Sequence, residues 1–170
     1  MSTVAVTMPP AAARFSVRGG ERALVALGQG FGVALPTVAC RAAMAGERAA
    51  LWLGPDEWLL LAPESEADGL AAAMNAALGS EPASLVDISH RQLGIAVAGP
   101  KAAEALNAFN PLDLDLRAFP AGMCTRTVFG KAEIVLWRRA PEEFRIEAWR
   151  SFAPYVLGCL AEACREYGVT

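Results

Sequence analysis

The sequence predicts an α+β fold made of two copies of one unit: strand, strand, helix, three strands, helix, with antiparallel sheets and the helices packed on them. Three observations predict it. Residues 51–65 read as two apolar arms joined by Gly54-Pro55-Asp56, a hairpin that runs straight into a helix start at Ser65. The same order returns later, where Pro141, Glu143, Phe144, Ile146 and Ser151 follow Pro55, Glu57, Trp58, Leu60 and Ser65 at a spacing of 86 positions. Upstream, Phe15-Ser16-Val17-Arg18-Gly19 precedes Ile95-Ala96-Val97-Ala98-Gly99 by 80 positions. The repeats span about residues 4–79 and 84–168 of a single domain, 1–170.

Each element has its own signal. Residues 4–7 alternate and precede Pro9-Pro10, which fits an edge strand or a loose arm. Residues 14–18 read as a strand ended by Gly19-Gly20. A helix follows over 21–29 with Leu24, Leu27 and Phe31 on one side, and Gly28, Gly30 and Gly32 are expected to fray it. A strand over 37–44 and a turn over 45–47 lead into the hairpin. At its turn Gly54 supplies an unusual φ, Pro55 pre-sets the next residue and Asp56 caps. Ser65 is the expected N-cap of a helix over 66–78 that puts Ala67, Leu70, Ala71, Met74 and Leu78 on one face, and Gly79 closes it.

The second copy follows the same grammar. Residues 84–89 and 91–98 read as strands, and Gly99-Pro100 opens a helix whose core residues are Leu106 and Phe109. Residues 110–120 form an irregular connection. Strands over 123–129, 132–138 and 143–149 lead to a last helix over 152–167. It carries Phe152, Tyr155, Val156, Cys159, Leu160 and Ala163 on one face and ends at Gly168.

Composition excludes several classes. Of 170 residues, 54% are hydrophobic and 19% charged, so the chain is apolar with a thin charged surface, and the excess is core or a surface that another protein covers. No apolar run approaches the roughly 20 residues of a membrane helix, which argues against a membrane role. A net charge of −3 with scattered basic residues makes nucleic acid a poor partner. Cys40, Cys124, Cys159 and Cys164 lack C-x-x-C spacing, and with one histidine they leave little to build a zinc site from. Reduced structural thiols and an N-terminus without the pattern of a secretory signal imply the cytoplasm.

No constellation spells out catalysis. Asp87-Ile88-Ser89-His90 contains the residue types of a hydrolase triad. In a strand, however, Asp87 and Ser89 share one face while His90 takes the other, and adjacent residues do not make the relay. A strand end with Asp87 and Ser89 satisfying a turn is the structural reading; ligand contact by Asp87, Ser89 and His90 is the functional remainder. Residues 28–32 lack the G-x-G-x-x-G spacing and close a helix where a dinucleotide fingerprint opens one. Gly99 could present backbone N–H groups to an anion, or simply start a helix. Asp113 and Asp115 alternate with Leu112, Leu114 and Leu116, which predicts leucines inward and aspartates outward; Glu142-Glu143 reads as a solvated turn. Trp52, Trp58, Trp137 and Trp149 all lie in the two hairpins and read as core or interface anchors. No catalytic, cofactor or metal residue is assigned.

The run Leu53-Gly54-Pro55-Asp56-Glu57-Trp58-Leu59-Leu60 resembles the gamma subunit family of heterotetrameric sarcosine oxidase. So do Val86-Asp87-Ile88-Ser89-His90-Arg91-Gln92, Gly99-Pro100, Pro111-Leu112-Asp113-Leu114 and Arg150-Ser151-Phe152-Ala153. The resemblance implies a non-catalytic structural subunit of a complex that oxidatively demethylates sarcosine to glycine with oxygen. It implies alpha, beta and delta partners carrying FAD, FMN, NAD, tetrahydrofolate and zinc, with none of these on this chain. The fold is similar to the folate-binding domain of glycine-cleavage aminomethyltransferases, with Asp87, Ser89, Gly99 and Gly122 on matching places. That family carries an aspartate and an asparagine where this sequence has Glu133 and Trp149. An indole lacks the paired donor and acceptor of an amide, so the stand-alone folate-binding one-carbon protein is the alternative reading.

The two hairpins differ in one way. In the second, Phe144, Ile146 and Ala148 alternate with Arg145 and Glu147, which predicts one face on the core and one in water. In the first, Trp58 and Leu60 lie on one side and Leu59 and Leu61 on the other, so both sides are apolar. One side packs under the chain's own helices. Leu59 and Leu61 are expected to meet a partner subunit, with cover by the N-terminal arm as the alternative.

Overall fold

The computed structural model describes residues 3–167. In chain order its elements are β1 (Ala5–Thr7), β2 (Ala12–Gly19), α1 (Glu21–Phe31), β3 (Ala42–Ala45), β4 (Arg48–Gly54), β5 (Glu57–Pro63), α2 (Ala67–Leu78), β6 (Ala83–Asp87), β7 (Gln92–Ala98), α3 (Ala102–Asn107), β8 (Cys124–Phe129), β9 (Ala132–Ala140), β10 (Glu143–Trp149) and α4 (Ala153–Cys164). They gather into two compact units. One runs from Ala11 to His90; the other joins the residues up to Pro10 to those from Arg91 onward.

The fold is α+β, with an antiparallel sheet in each unit. Strand order is β3-β4-β5-β2-β6 in the first unit and β8-β9-β10-β7-β1 in the second. The two orders are the same pattern, so the duplication lies in the sheets themselves. The element order also repeats, strand, strand, helix, three strands, helix, on either side of residues 79–82, while the compact units divide after Pro10 and after His90. Each sequence half opens on a short strand, and each donates that strand to the other half's sheet. β1 pairs with β7, Val6 opposite Val97. β6 pairs with β2, Leu85 opposite Val17. Pro9-Pro10 holds the chain after β1 extended, so β1 does not fold back on β2 as a tight hairpin.

In the first unit, Leu27 and Phe31 of α1 and Leu70 and Met74 of α2 cover Phe15, Val17, Trp58 and Leu60. Trp58 also donates its indole N–H to the Pro36 carbonyl at 2.8 Å. The glycines of α1 do not fray it: the helix continues through Gly28 and Gly30 to Phe31, and Gly32 ends it at φ 79°. A side chain at Gly30 would meet the Met74 Cα at 2.7 Å, so the glycine lets the two helices approach backbone to backbone. The strand expected over 37–44 begins only at Ala42, because Cys40 turns the chain at φ 57°. The β4–β5 turn is at Pro55-Asp56; Gly54 has no positive φ, and a register shift between Trp52 and Gly54 absorbs the irregularity. Ser65 is not the N-cap of α2. It lies in a 3₁₀ turn over Glu64–Glu66, and Arg48 Nε holds Glu66 Oε2 at 2.7 Å.

In the second unit, Val4, Ile95, Val97, Leu106, Phe129, Leu136, Phe144, Ile146, Val156 and Leu160 form the core, and Phe109 packs on Phe129 with ring centroids 5.5 Å apart. The 108–123 connection is pinned by Arg138. Its buried guanidinium donates to the Leu114 carbonyl at 3.0 Å, the Phe119 carbonyl at 2.8 Å and the Pro141 carbonyl at 3.0 Å, and it lies over the Phe144 ring. Leu114 is inward as expected, but Leu116 is exposed. α4 begins at Ala153, leaving Phe152 and Tyr155 exposed rather than on its buried face. A 3₁₀ turn over Arg165–Tyr167 follows it, and the expected stop at Gly168 lies outside the described residues. No helix among the described residues is long and apolar enough to cross a membrane.

Candidate functional site

Asp87, Ser89 and His90 sit where β6 ends. The Asp87 carboxylate accepts from the Ser89 backbone N–H at 2.8 Å and from its hydroxyl at 2.6 Å. The Ser89 hydroxyl in turn accepts the Arg14 backbone N–H at 2.9 Å, and the Ile88 N–H donates to the Arg14 carbonyl. The motif thus continues the pairing of β6 with β2 past the last strand residue. Asp87 bonds Ser89, so the charge relay of a triad is not assembled. The Gly99 N–H is likewise committed, donating to the Glu142 carbonyl at 2.9 Å, which removes it as an anion donor.

Leu59 and Leu61 are 2% and 4% exposed in this chain alone. They therefore lack the free surface that a partner contact requires, which corrects the expectation for that side of the first hairpin. The matching side of the second hairpin is also not in water. Glu147 is 1% exposed and accepts from Arg145 Nε at 2.6 Å, a buried ion pair. A side chain at Gly94 would come within 2.8 Å of Arg145 and 3.1 Å of Glu147, so the glycine opposite leaves room for the pair. Alternation alone does not reveal this, because a charged residue in a strand looks the same whether it faces water or a buried counter-ion.

At the end of that same sheet face lies a shallow pocket of about 220 Å³ lined by Glu133, Trp149 and Phe152. The two positions at which the aminomethyltransferase comparison predicts an aspartate and an asparagine thus line one place. They bring a carboxylate and an indole to it, and Phe152 adds a ring. Arg91 stacks on Trp149 at 4.8 Å, and Arg126 Nε is 3.7 Å from Glu133. Sequence periodicity missed Phe152 by counting it into the buried stripe of α4. The signal that could have found it is its place just before Ala153-Pro154, at the N-cap. A second hollow, of about 420 Å³, lies beside α1 among Leu24, Val25, Gly28, Ala34 and Leu35, with Glu21, Gln29 and Thr37 around it. Among the described residues no group of three or more His, Cys, Asp and Glu is placed to hold a metal ion.

Residues 19–166 match the sarcosine oxidase, gamma subunit family. The chain belongs to that family. The gamma subunit of sarcosine oxidase from Corynebacterium sp. strain P-1 is 34% identical over 149 residues, 87% of this chain and 72% of that protein. The solved heterotetrameric sarcosine oxidase from Corynebacterium sp. U-96, in complex with pyrrole 2-carboxylate, contains a chain similar at a TM-score of 0.90 and 31% identity, over 96% of this chain and 85% of that one. Aminomethyltransferase T of the glycine cleavage system from Bartonella henselae is similar at a TM-score of 0.76 over 99% of this chain and 47% of that one. At 14% identity that likeness shows the fold. The gamma-subunit resemblance carried by the hairpin and by Val86–Gln92 is therefore correct, and so is the aminomethyltransferase-like fold.

Proposed function

We propose that this gamma-family chain is a non-catalytic structural subunit of a multi-subunit sarcosine oxidase, which demethylates sarcosine to glycine with oxygen. The observation that carries this reading is the likeness, along nearly the whole chain, to a chain of a heterotetrameric sarcosine oxidase. Its partners are alpha, beta and delta subunits; they hold FAD, FMN, NAD, tetrahydrofolate and zinc, and the assembly works in the cytoplasm. The polar groups of Asp87 and Ser89 support a structural role, since they are spent on a turn. The reading is tested by co-expressing the chain with the remaining subunits of its complex. The tagged chain should bring down flavin-coloured partners, and alone it should show no flavin absorption. Failure to retain any partner, or flavin bound by the chain itself, would refute the reading.

A stand-alone folate-binding protein is the competing reading. The pocket at Glu133 and Trp149 argues against it, because neither side chain pairs a donor with an acceptor as an amide does. Calorimetric titration with tetrahydrofolate should give no saturable heat at micromolar concentration; saturable heat would favour the folate protein.

A further inference from the structure

The end of the second sheet shows an apolar surface that the fold itself does not require. Trp149 is 42%, Phe152 46% and Val128 41% exposed. Val128 is directly opposite Glu133 in the β8–β9 pair, and Glu133 lines the same pocket as Trp149 and Phe152. Val128 thus lies beside Glu133 on the next strand, and Trp149 and Phe152 share the pocket with that glutamate. At about 220 Å³ the hollow lined by Glu133, Trp149 and Phe152 is smaller than the roughly 300–1,000 Å³ of small-molecule sites, and it suits one inserted side chain. Exposed Trp beside Arg is also the composition of the residues that dominate protein–protein interfaces.

Arginines gather around this surface, in a chain whose net charge is negative. The chain as a whole carries −3. Here Arg91 lies on the Trp149 ring, and the Arg150 N–H donates to the Arg91 carbonyl at 2.8 Å, which sets both arginines at one end of β7 and β10. Arg126 faces Glu133, the acid of the cluster. Arg91, Arg126 and Arg150 thus border the patch, with Glu133 among them. By contrast, the hollow beside α1 offers no aromatic anchor and has Glu21 on its edge.

We infer that Trp149, Phe152 and Val128, rimmed by Arg91, Arg126 and Arg150, form the surface by which this chain docks on a larger subunit of its complex. The matching surface is an apolar side chain surrounded by Asp and Glu. This rests on the subunit role proposed above, and the test separates the two. The full chain is co-expressed with the remaining subunits, and affinity is then measured between the purified chain and the complex lacking it. If the wild-type chain does not assemble, the subunit role fails and the docking surface with it. If it does, Trp149→Asp and Phe152→Asp should each raise the Kd at least about tenfold. Arg91→Glu with Arg150→Glu should also weaken assembly, by an amount that shrinks in high salt. Val25→Asp, on α1 at the other hollow, should change nothing. Circular dichroism checks the fold of every variant. The charge-reversal pair alters only exposed side chains, so it decides the matter if Trp149→Asp does not fold. Unchanged assembly in the charge-reversal pair and in Phe152→Asp overturns the inference. So does loss of assembly with Val25→Asp alone, which moves docking to α1. A dimer of the isolated chain that Trp149→Asp abolishes, with heteroassembly intact, would assign the surface to a second copy instead.

Discussion

Arg138 shows how much one side chain can organise. Burial lowers its pKa, and Asp115 offsets part of that. Its guanidinium has almost no access to water and satisfies carbonyls from three separate places in the second unit. Removing it leaves the Leu114, Phe119 and Pro141 carbonyls without their donor in a buried setting. Arg138→Met should therefore cost on the order of 3 kcal/mol, read as a lower urea midpoint. Arg138→Lys should recover only part of this, since an ammonium cannot span the same fork of acceptors. A stability loss below about 0.5 kcal/mol for Arg138→Met would show that the connection holds itself in place. In the sequence, Arg138 and Arg139 are two adjacent arginines with nothing to tell them apart. Which member is buried depends on strand alternation in β9, where Arg138 faces Phe144 and Arg139 is exposed.

At the scale of elements, glycine has opposite meanings in two helices. In α1, a β-carbon at Gly30 would collide with the Met74 backbone of α2 at 2.7 Å and the Ala73 carbonyl at 2.8 Å. Backbone atoms cannot rotate away, so Gly30→Ala should destabilise by about 2–3 kcal/mol. In α4, nothing lies within 4 Å of the position a β-carbon would take at Gly158. Gly158→Ala should stabilise by about 0.5–1 kcal/mol, through helix propensity and a less flexible unfolded chain. Thermal melts of the two variants should move in opposite directions. A neutral Gly30→Ala would mean that α1 and α2 separate easily, and with it would go the account of why α1 tolerates two interior glycines. Helix faces were legible because apolar spacing is local: Leu70 and Met74 are buried as the pattern predicts. Helix ends were less legible. Ser65 was displaced from its cap by a 3₁₀ turn, and Phe152 sits one residue before α4 begins.

For the molecule as a whole, the consequence of strand exchange is that each sheet depends on residues from the other sequence half. β1 closes the β7 edge, and Val4 beside it belongs to the second unit's core. Deleting residues 1–10 should expose the backbone donors and acceptors of β7 and remove Val4 from the core. Hydrogen exchange should then lose protection at β7 first, while β4 and β5 keep theirs. Equal loss in both units would show that they unfold as one, and unchanged protection at β7 would show that β1 contributes nothing to its stability.

The sequence by itself determined the duplicated α+β grammar, the two hairpins, the buried stripes of α1 and α2, and the gamma-family membership. All of these rest on spacing within some tens of residues or on runs of adjacent residues. Tertiary structure decided the rest. Pairing of β1 with β7 joins residues about 90 positions apart, and no local period encodes it. The apolar second side of the first hairpin was visible in Leu59 and Leu61, but what covers a face is not a property of its own strand. Glu147 is the sharpest case. Alternation assigns it to water, yet Arg145 neutralises it and Gly94 makes room for the pair on the neighbouring strand. A buried charge needs a partner and a space, and both come from residues that only the folded sheet brings together.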